Sequence, residues 1–267
     1  MAVFGFIGTG NMGGALARAL RKNAAGEAIL LANRSMDKAE ALAEALGANP
    51  STNEEIARRA DYIFLGVKPQ MMAGMLAGIA PILKERQDRF ILVTMAAGLT
   101  IQRIREMAGG NYPVIRIMPN TPSSIGEGMI LYTCGKGVTK TEEKEFLDSM
   151  AGAGRFAAIP ESQMDVGSAV SGCGPAFVDL FIEALADGGV ACGLPRAAAM
   201  EFAAQMVVGS ARLVLESGSH PGALKDAVCS PGGSTIQGVR TLEKNGFRSA
   251  VMEAVIAACE KSASLGK

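Results

Sequence analysis

A glycine-rich turn near the N-terminus constrains the fold more than any other feature of the chain. Gly8-Thr9-Gly10-Asn11-Met12-Gly13 has the GxGxxG spacing, follows a β-rich run at residues 3–7 and opens an amphipathic helical pattern at residues 12–22. A GxGxxG match alone is weak evidence, because an ordinary glycine-rich turn between a strand and a helix also fits it. Here the match begins a βαβ unit, which is the context in which this pattern binds a dinucleotide.

Each glycine of this turn has its own physical task. Gly8 permits the tight turn, Gly10 lets the backbone approach a pyrophosphate, and Gly13 lets the helix pack closely on the strand. The free N–H groups at the helix start then present partial positive charge to the phosphates. The cofactor contacts predicted for the turn are Gly8, Thr9, Gly10, Asn11 and Met12.

The first 160 residues alternate short β-rich runs with helical patterns, which is typical of an α/β fold with a parallel sheet and right-handed crossovers. Strands are predicted at residues 3–7, 28–32, 62–67, 90–94, 112–118, 128–133 and 156–159. Helices are predicted at residues 12–22, 36–46, 53–59, 71–83, 101–107 and 141–150, with Asn53 as an N-cap. The pattern predicts an N-terminal Rossmann-type domain over residues 1–160.

The rest of the chain is helical in pattern, with no strand predicted after Met164. Helices are predicted at residues 174–192, 195–217, 235–244 and 247–265. They are apolar around much of their circumference, so more than one face of each must be buried. Since a region of this size has little interior, we expect a C-terminal all-helical dimerisation domain over residues 161–267. The expected assembly is a homodimer, alone or within a larger assembly of dimers.

Charge and cysteine content argue against several classes of protein. Lys+Arg and Asp+Glu both number 26, so the balanced charge gives no basic surface for nucleic acid. Five cysteines without CxxC spacing and one histidine argue against a metal site and are typical of free thiols in the cytosol. His220 lies in a His-Pro-Gly turn, where we expect a helix start rather than a catalytic group. With no signal-peptide pattern and no uninterrupted apolar span, we expect a cytoplasmic protein without a membrane partner.

The end of the second predicted strand indicates which cofactor is bound. It reads Asn33-Arg34-Ser35, without the acidic residue that usually holds the ribose hydroxyls of NAD. Arg34 can hold a 2′-phosphate in a bidentate fork, with an amide and a hydroxyl beside it. The segment favours NADPH over NADH; the alternative is a solvated loop arginine.

Two further strand ends carry small or rigid residues, in Gly66-Val67-Lys68-Pro69 and Ala96-Ala97-Gly98. Ligands of open α/β sheets lie outside the carboxyl ends of the strands, so these turns are expected to line the adenosine–ribose and nicotinamide ends of the cofactor. Lys68 is either a charge for the cofactor or substrate, or a plain surface lysine. The contacts predicted here are Val67, Lys68, Pro69, Ala96, Ala97 and Gly98.

A second anion cradle precedes a late helix. Ser230-Pro231-Gly232-Gly233-Ser234-Thr235 combines adjacent glycines and hydroxyls before a helix start, which suits a small carboxylate. The alternative is a Pro-Gly turn with a hydroxyl cap.

In these motifs, the chain resembles the pyrroline-5-carboxylate reductases. The matching stretches run in order over nearly the whole chain, and the group from Ser230 is the most specific of them. They are Gly5-Phe6-Ile7-Gly8-Thr9-Gly10-Asn11-Met12, Val67-Lys68-Pro69-Gln70, Ala96-Ala97-Gly98, Arg116-Ile117-Met118-Pro119-Asn120-Thr121-Pro122, Ser171-Gly172-Cys173-Gly174-Pro175-Ala176, Ala184-Leu185-Ala186-Asp187-Gly188-Gly189-Val190, Gly193-Leu194-Pro195-Arg196, His220-Pro221-Gly222-Ala223-Leu224-Lys225-Asp226 and Ser230-Pro231-Gly232-Gly233-Ser234-Thr235.

The resemblance implies reduction of L-1-pyrroline-5-carboxylate to L-proline with NAD(P)H, the last step of proline synthesis. It implies a dimer whose active site joins one subunit's cofactor domain to the helices of both. It adds Asn53 and Asn120 to the cofactor contacts and makes the Thr235 hydroxyl the catalytic group nearest the ring nitrogen. The substrate contacts that it implies are Ser230, Gly232, Gly233, Ser234 and Thr235.

The chain departs from the family pattern at two positions, with Cys173 where the family often has Ser and Phe177 where it often has Tyr. A hydroxyl that contacted ligand at either position would be missing here, while the Cys173 thiol could fill the same space as a weak donor.

Two other functions fit part of the sequence. A β-hydroxyacid dehydrogenase has a similar N-terminal pattern, but its catalytic lysine has no counterpart at residues 172–180. A non-catalytic NADP-sensing dimer would need no second anion cradle. A cyclic imine protonates readily, so the reductase needs little acid–base machinery and depends on proximity and orientation.

Overall fold

The computed structural model describes residues 2–265, and over residues 263–265 the backbone alone. Eight strands form one sheet in the order β3-β2-β1-β4-β5-β6-β7-β8. They are β1 (Phe4–Ile7), β2 (Ile29–Ala32), β3 (Asn49–Pro50), β4 (Tyr62–Leu65), β5 (Ile91–Thr94), β6 (Val114–Met118), β7 (Gly128–Cys134) and β8 (Gly154–Ala158). The reversal of strand order beside β1 is the arrangement of a doubly wound, dinucleotide-binding sheet.

Helices cover both faces of the sheet because successive strand residues point to opposite sides. Phe6 and Phe64 stack at 4.3 Å on one face, while Ile63 and Leu65 pack on the other. The helices of this part are α1 (Asn11–Arg21), α2 (Met36–Leu46), α3 (Asn53–Arg59), α4 (Pro69–Glu85), α5 (Ile101–Ala108), α6 (Lys140–Met150) and α7 (Met164–Ser171).

Two strands, β7 and β8, run against the expectation of a wholly parallel sheet. β7 pairs antiparallel with β6, and β8 then pairs parallel with β7. The connection from Met118 to Gly128 contains only a short 3₁₀ turn at Thr121–Ile125. A parallel return needs a crossover of a dozen or more residues, so this short connection produces an antiparallel neighbour.

Four local expectations were wrong or incomplete. Thr52, rather than Asn53, is the N-cap of α3, and its side chain accepts a hydrogen bond from the Glu55 N–H. The two-residue strand β3 and the helix α7 were not predicted, and of α10 (Pro221–Val228) only the start at His220 was expected. The last two are eight-residue helices between turns, too short for the apolar periodicity to show. The expected helix start at His220 is confirmed, since its Nδ1 accepts from the Gly222 N–H at 3.0 Å.

The chain divides into two compact units. Residues up to Cys173, with the end of α12 from Ala258, form the first, and Gly174–Ala257 form the second. The second unit contains α10 together with α8 (Gly174–Ala191), α9 (Arg196–Ser217), α11 (Ser234–Lys244) and most of α12 (Phe247–Leu265).

Within the second unit, the helices have apolar faces that a single chain leaves uncovered. Leu180 is 67% exposed, Leu215 68% and Phe202 58%. The stretches Glu161–Ala191 and Arg196–Ser217 are long and apolar enough, by length and composition, to cross a membrane. Exposed apolar patches of this extent mark surfaces that bind another protein, a membrane or a ligand.

Candidate functional site

The turn after β1 is held by close backbone contacts that only glycine permits. Gly8 has a φ of +99°, and a Cβ at Gly13 would lie 2.1 Å from the Gly8 carbonyl oxygen. A Cβ at Gly66, after β4, would lie 2.3 Å from the same oxygen. By contrast, a Cβ at Gly10 would have no atom within 4 Å, so open space lies beside this backbone. The turn is therefore closely packed on the side of Gly13 and Gly66 and open beside Gly10, as pyrophosphate binding requires.

The start of α1 has donors without a protein partner. Gly10 is its N-cap, and no side chain caps the helix. Beside it, Thr9 is 8% exposed, and its hydroxyl has no hydrogen-bond partner among residues 2–265. Free N–H groups at a helix start attract an anion, and a buried hydroxyl left unpaired costs free energy until it finds a partner. Both features fit a bound pyrophosphate.

A cleft of about 860 Å³ extends from this turn across the ends of β1, β2 and β4. Its size matches the range of cofactor-binding clefts in proteins. The structure brings together eight of the predicted cofactor contacts in its lining: Gly8, Gly10, Asn33, Arg34, Ser35, Asn53, Val67 and Lys68.

The lining also contains residues that were not predicted as contacts. Lys38 lies in the first turn of α2 and adds a second exposed cation near Arg34. Gln70 and Met71 come from the first turn of α4. Residue spacing alone did not indicate Lys38, because Arg34 lies before the start of α2 and the i, i+4 neighbour relation holds only within a helix.

The other predicted cofactor contacts do not line this cleft. Ala96, Ala97 and Gly98 follow β5, and Gly98 has a φ of +74°. Asn120 follows β6 and is 8% exposed. Its side-chain amide donates to the Ser171 carbonyl at 2.9 Å and accepts from the Met129 N–H at 3.0 Å. That side chain therefore fixes α7 and β7 to the loop after β6. Thr9, Asn11 and Pro69 adjoin lining residues in sequence, and Met12 follows the lining residue Gly10 by two positions.

The second predicted cradle lies in the helical unit. Gly232 has a φ of +71°, and Gly233 is the N-cap of α11 without a side-chain cap. The Gly233 N–H donates to the Ser230 carbonyl at 3.1 Å, which closes the turn. Ser230, Ser234 and Thr235 are all exposed in the single chain. The turn leaves the first N–H groups of α11 and three hydroxyls free for an anion.

A doubly wound sheet with an uncapped glycine turn at its switch point defines a nucleotide-binding oxidoreductase of the Rossmann class. Family models agree with this class. One described as NADP oxidoreductase, coenzyme F420-dependent, matches residues 3–98. Another, described as pyrroline-5-carboxylate reductase dimerisation, matches residues 161–265.

Full-length relatives narrow the class to one family. The chain is 43% identical to the pyrroline-5-carboxylate reductase of Escherichia coli (strain K12), over 98% of both chains. It is 39% identical to that of Arabidopsis thaliana, over 98% of this chain and 95% of the relative. The structure of the Plasmodium falciparum pyrroline carboxylate reductase with NADP bound matches with a TM-score of 0.89 and 38% identity, over 100% of this chain and 98% of that one. The chain belongs to the pyrroline-5-carboxylate reductase family.

Proposed function

We propose that the protein reduces L-1-pyrroline-5-carboxylate to L-proline with NAD(P)H, the last step of proline synthesis. The observation that carries this proposal is that the likeness to these reductases spans the whole chain, including both anion cradles. A dehydrogenase of the β-hydroxyacid type shares only the first cradle, and a sensor has no use for the second.

In this proposal the glycine turn and the start of α1 bind the pyrophosphate. Asn33, Arg34, Ser35 and Asn53 hold the adenosine phosphate end, and Ala96, Ala97 and Gly98 line the nicotinamide end. When bound, NAD(P)H would supply the hydride for the imine carbon, and the proton on the ring nitrogen would come from water, because a cyclic imine protonates readily in solution. The protein contributes orientation and the exclusion of water, which together account for large rate enhancements without an acid or base.

The substrate is held by the turn before α11. The free N–H groups of Ser234 and Thr235 and the hydroxyl of Ser230 bind its carboxylate, which lies against the backbone of Gly232 and Gly233. The Thr235 hydroxyl hydrogen-bonds to the ring nitrogen. A threonine hydroxyl is far too weak an acid to deliver a proton by itself, so Thr235→Val is expected to lower kcat partially rather than abolish it.

The preference for NADPH comes from the end of β2. Arg34 and Lys38 both line the cleft, and neither forms an ion pair with another residue in the described part of the chain. Two uncompensated cations beside the Asn33 amide and the Ser35 hydroxyl suit a dianionic 2′-phosphate better than a neutral ribose hydroxyl.

The protein acts as a homodimer through its helical part. We propose residues 1–160 as the cofactor domain and residues 161–267 as the substrate and dimerisation domain. The exposed apolar faces of α8 and α9 form the dimer interface, and larger assemblies of dimers use other surfaces. The five free cysteines suit a cytoplasmic location.

A steady-state assay tests the function directly. Purified protein is expected to oxidise NADPH in the presence of pyrroline-5-carboxylate, and NADH more slowly. No oxidation of NADPH is expected with methylmalonate semialdehyde, the aldehyde formed by oxidation of 3-hydroxyisobutyrate, in place of the imine. Absence of turnover with either cofactor supports the sensor, and turnover with the aldehyde alone supports the dehydrogenase.

A further inference from the structure

Arg116 is a charged side chain in the interior of the sheet. It lies on β6 and is 2% exposed. Its Nη1 donates to Glu161 Oε1 and its Nη2 to Asp165 Oδ1, each at 3.3 Å. Its Nε has no hydrogen-bond partner among residues 2–265.

Stability alone does not explain this arrangement. A buried ion pair roughly balances its Coulomb attraction against the cost of desolvation, and two long bonds with one unpaired donor lie at the weak end of that range. An apolar side chain of similar volume would fill the same space without leaving a donor unpaired. What the guanidinium does provide is a fixed position for two carboxylates.

One of those carboxylates also holds the start of a helix. Glu161 Oε1, which accepts from Arg116, also accepts from the Ile101 N–H at 2.7 Å. Ile101 is the first residue of α5, and a carboxylate is stabilised there by the helix dipole. Arg116 therefore fixes the carboxylate that fixes the N-terminus of α5.

The loop that ends where α5 begins is the one that lines the nicotinamide end in the proposed function. It runs from Met95 to Thr100, immediately before Ile101, and includes Gly98 with its positive φ. Its far end is continuous with β5, which pairs with β6 through Thr94 and Arg116. Both ends of the loop are thus tied to the same arginine, one through the sheet and one through Glu161.

We propose that Arg116 is a positioning residue for hydride transfer, acting through Glu161 on the loop Ala96-Ala97-Gly98. This inference rests on the proposed function. Arg116 and Glu161 would then affect the chemical step and leave cofactor affinity unchanged. The contacts that dominate dinucleotide binding lie elsewhere, at the pyrophosphate and the adenosine phosphate.

The test uses Glu161→Gln in the full-length dimer. The amide oxygen can still accept from the Ile101 N–H, but the charge that holds Arg116 is lost. Functional sites are counted by NADPH titration, and kcat per site is measured with NADPH and with NADPH deuterated at the transferred position. We expect kcat per site to fall about tenfold, as misplacement of a reacting group would cause. The Kd for NADPH stays within about twofold, and the isotope effect is at least that of the wild type.

The matched control is Glu106→Gln, which removes an exposed carboxylate from α5, the helix whose start Glu161 holds, and is expected to leave kcat unchanged. A Glu161→Gln variant with wild-type kcat per site overturns the inference while leaving the reductase intact. So does a loss of activity that merely follows a loss of NADPH-binding sites, since that is the result of a structural role. No turnover by the wild type overturns the proposed function, and this inference with it.

Discussion

At the residue scale, we propose that the choice between NADPH and NADH depends on the side chains at the end of β2. Arg34 was predicted from sequence because it replaces the expected acidic residue. Lys38 was not, since its place in the cleft depends on how α2 leaves the loop. Local chemistry was thus visible in the sequence, and the convergence of residues from separate elements was not.

Replacing these cations is expected to separate the two cofactors. Arg34→Ala should raise the KM for NADPH about tenfold, the value of one charge-assisted hydrogen bond, with little effect on NADH. Lys38→Ala should act in the same direction more weakly, and the double variant should approach equal use of both cofactors. Lys144→Ala, which removes an exposed lysine from α6, is the control. Equal losses with NADPH and NADH would refute the assignment to the 2′-phosphate.

At the element scale, the ends of helices determine both the binding sites and much of the local stability. α1 and α11 begin on glycine without a side-chain cap and leave donors free, whereas α3 and α6 are capped by threonine. The glycines in the sequence predicted the open starts of α1 and α11. The prediction misplaced the cap of α3 by one residue, because Thr52 and Asn53 are both good capping residues and only the backbone decides between them.

Two adjacent glycines of α1 provide a matched comparison. Gly13→Ala places a Cβ 2.1 Å from the Gly8 carbonyl oxygen, so the turn must move. We expect a loss of about 1–3 kcal/mol in unfolding free energy, together with weaker NADPH binding. At Gly14 the nearest atoms are 3.6 Å away, and alanine is the better helix former, so Gly14→Ala should be neutral or stabilising. Thermal unfolding and NADPH titration of both variants measure the difference; equal behaviour would contradict the proposed geometry.

The start of α6 makes stability depend on pH. Hydrogen bonds from the Arg89 guanidinium and from the Thr139 N–H and hydroxyl lower the pKa of Glu142 to about 2, despite its partial burial. A lowered pKa in the folded state means that the contribution is present above about pH 4.5 and is lost as the pH falls toward 2. Since Arg89 is half exposed, screening limits this contribution to about 1 kcal/mol.

Glu142→Gln should therefore lower the unfolding free energy at pH 7 and bring it closer to that of the wild type at pH 3. Urea unfolding at the two pH values checks this. A difference between variant and wild type that is the same at both would show that the carboxylate does not titrate as described.

At the scale of the whole molecule, the chain divides into two compact units, and each contains one of the two anion cradles. The alternation of strands and helices predicted the Rossmann part, and the all-round apolar helices predicted a dimerisation part. The direction of β7 was missed because an alternating strand pattern is the same in parallel and antiparallel ladders. The short connection between β6 and β7 could have predicted this direction, because a parallel return needs a longer crossover.

The apolar helices give a prediction about assembly. Leu215→Asp on α9 replaces a side chain that is 68% exposed in the single chain, so the fold should survive. Burying the new carboxylate in an apolar interface is costly, so the dimer should dissociate. Ala77→Asp, at an exposed position of α4, should remain dimeric. Sedimentation velocity distinguishes the species, and a Leu215→Asp variant that is still dimeric at low micromolar concentration would exclude this face as the interface.

In the proposed reaction, one hydride passes from the nicotinamide ring to the imine carbon. Transfer of label from NADPH deuterated at the transferred position tests this most directly, with the product analysed by mass spectrometry and NMR. Hydride transfer to the imine carbon would give L-proline with one deuterium on the ring carbon that adjoins the nitrogen and lacks the carboxylate. Unlabelled proline, or no proline from a protein that binds NADPH normally, would contradict it.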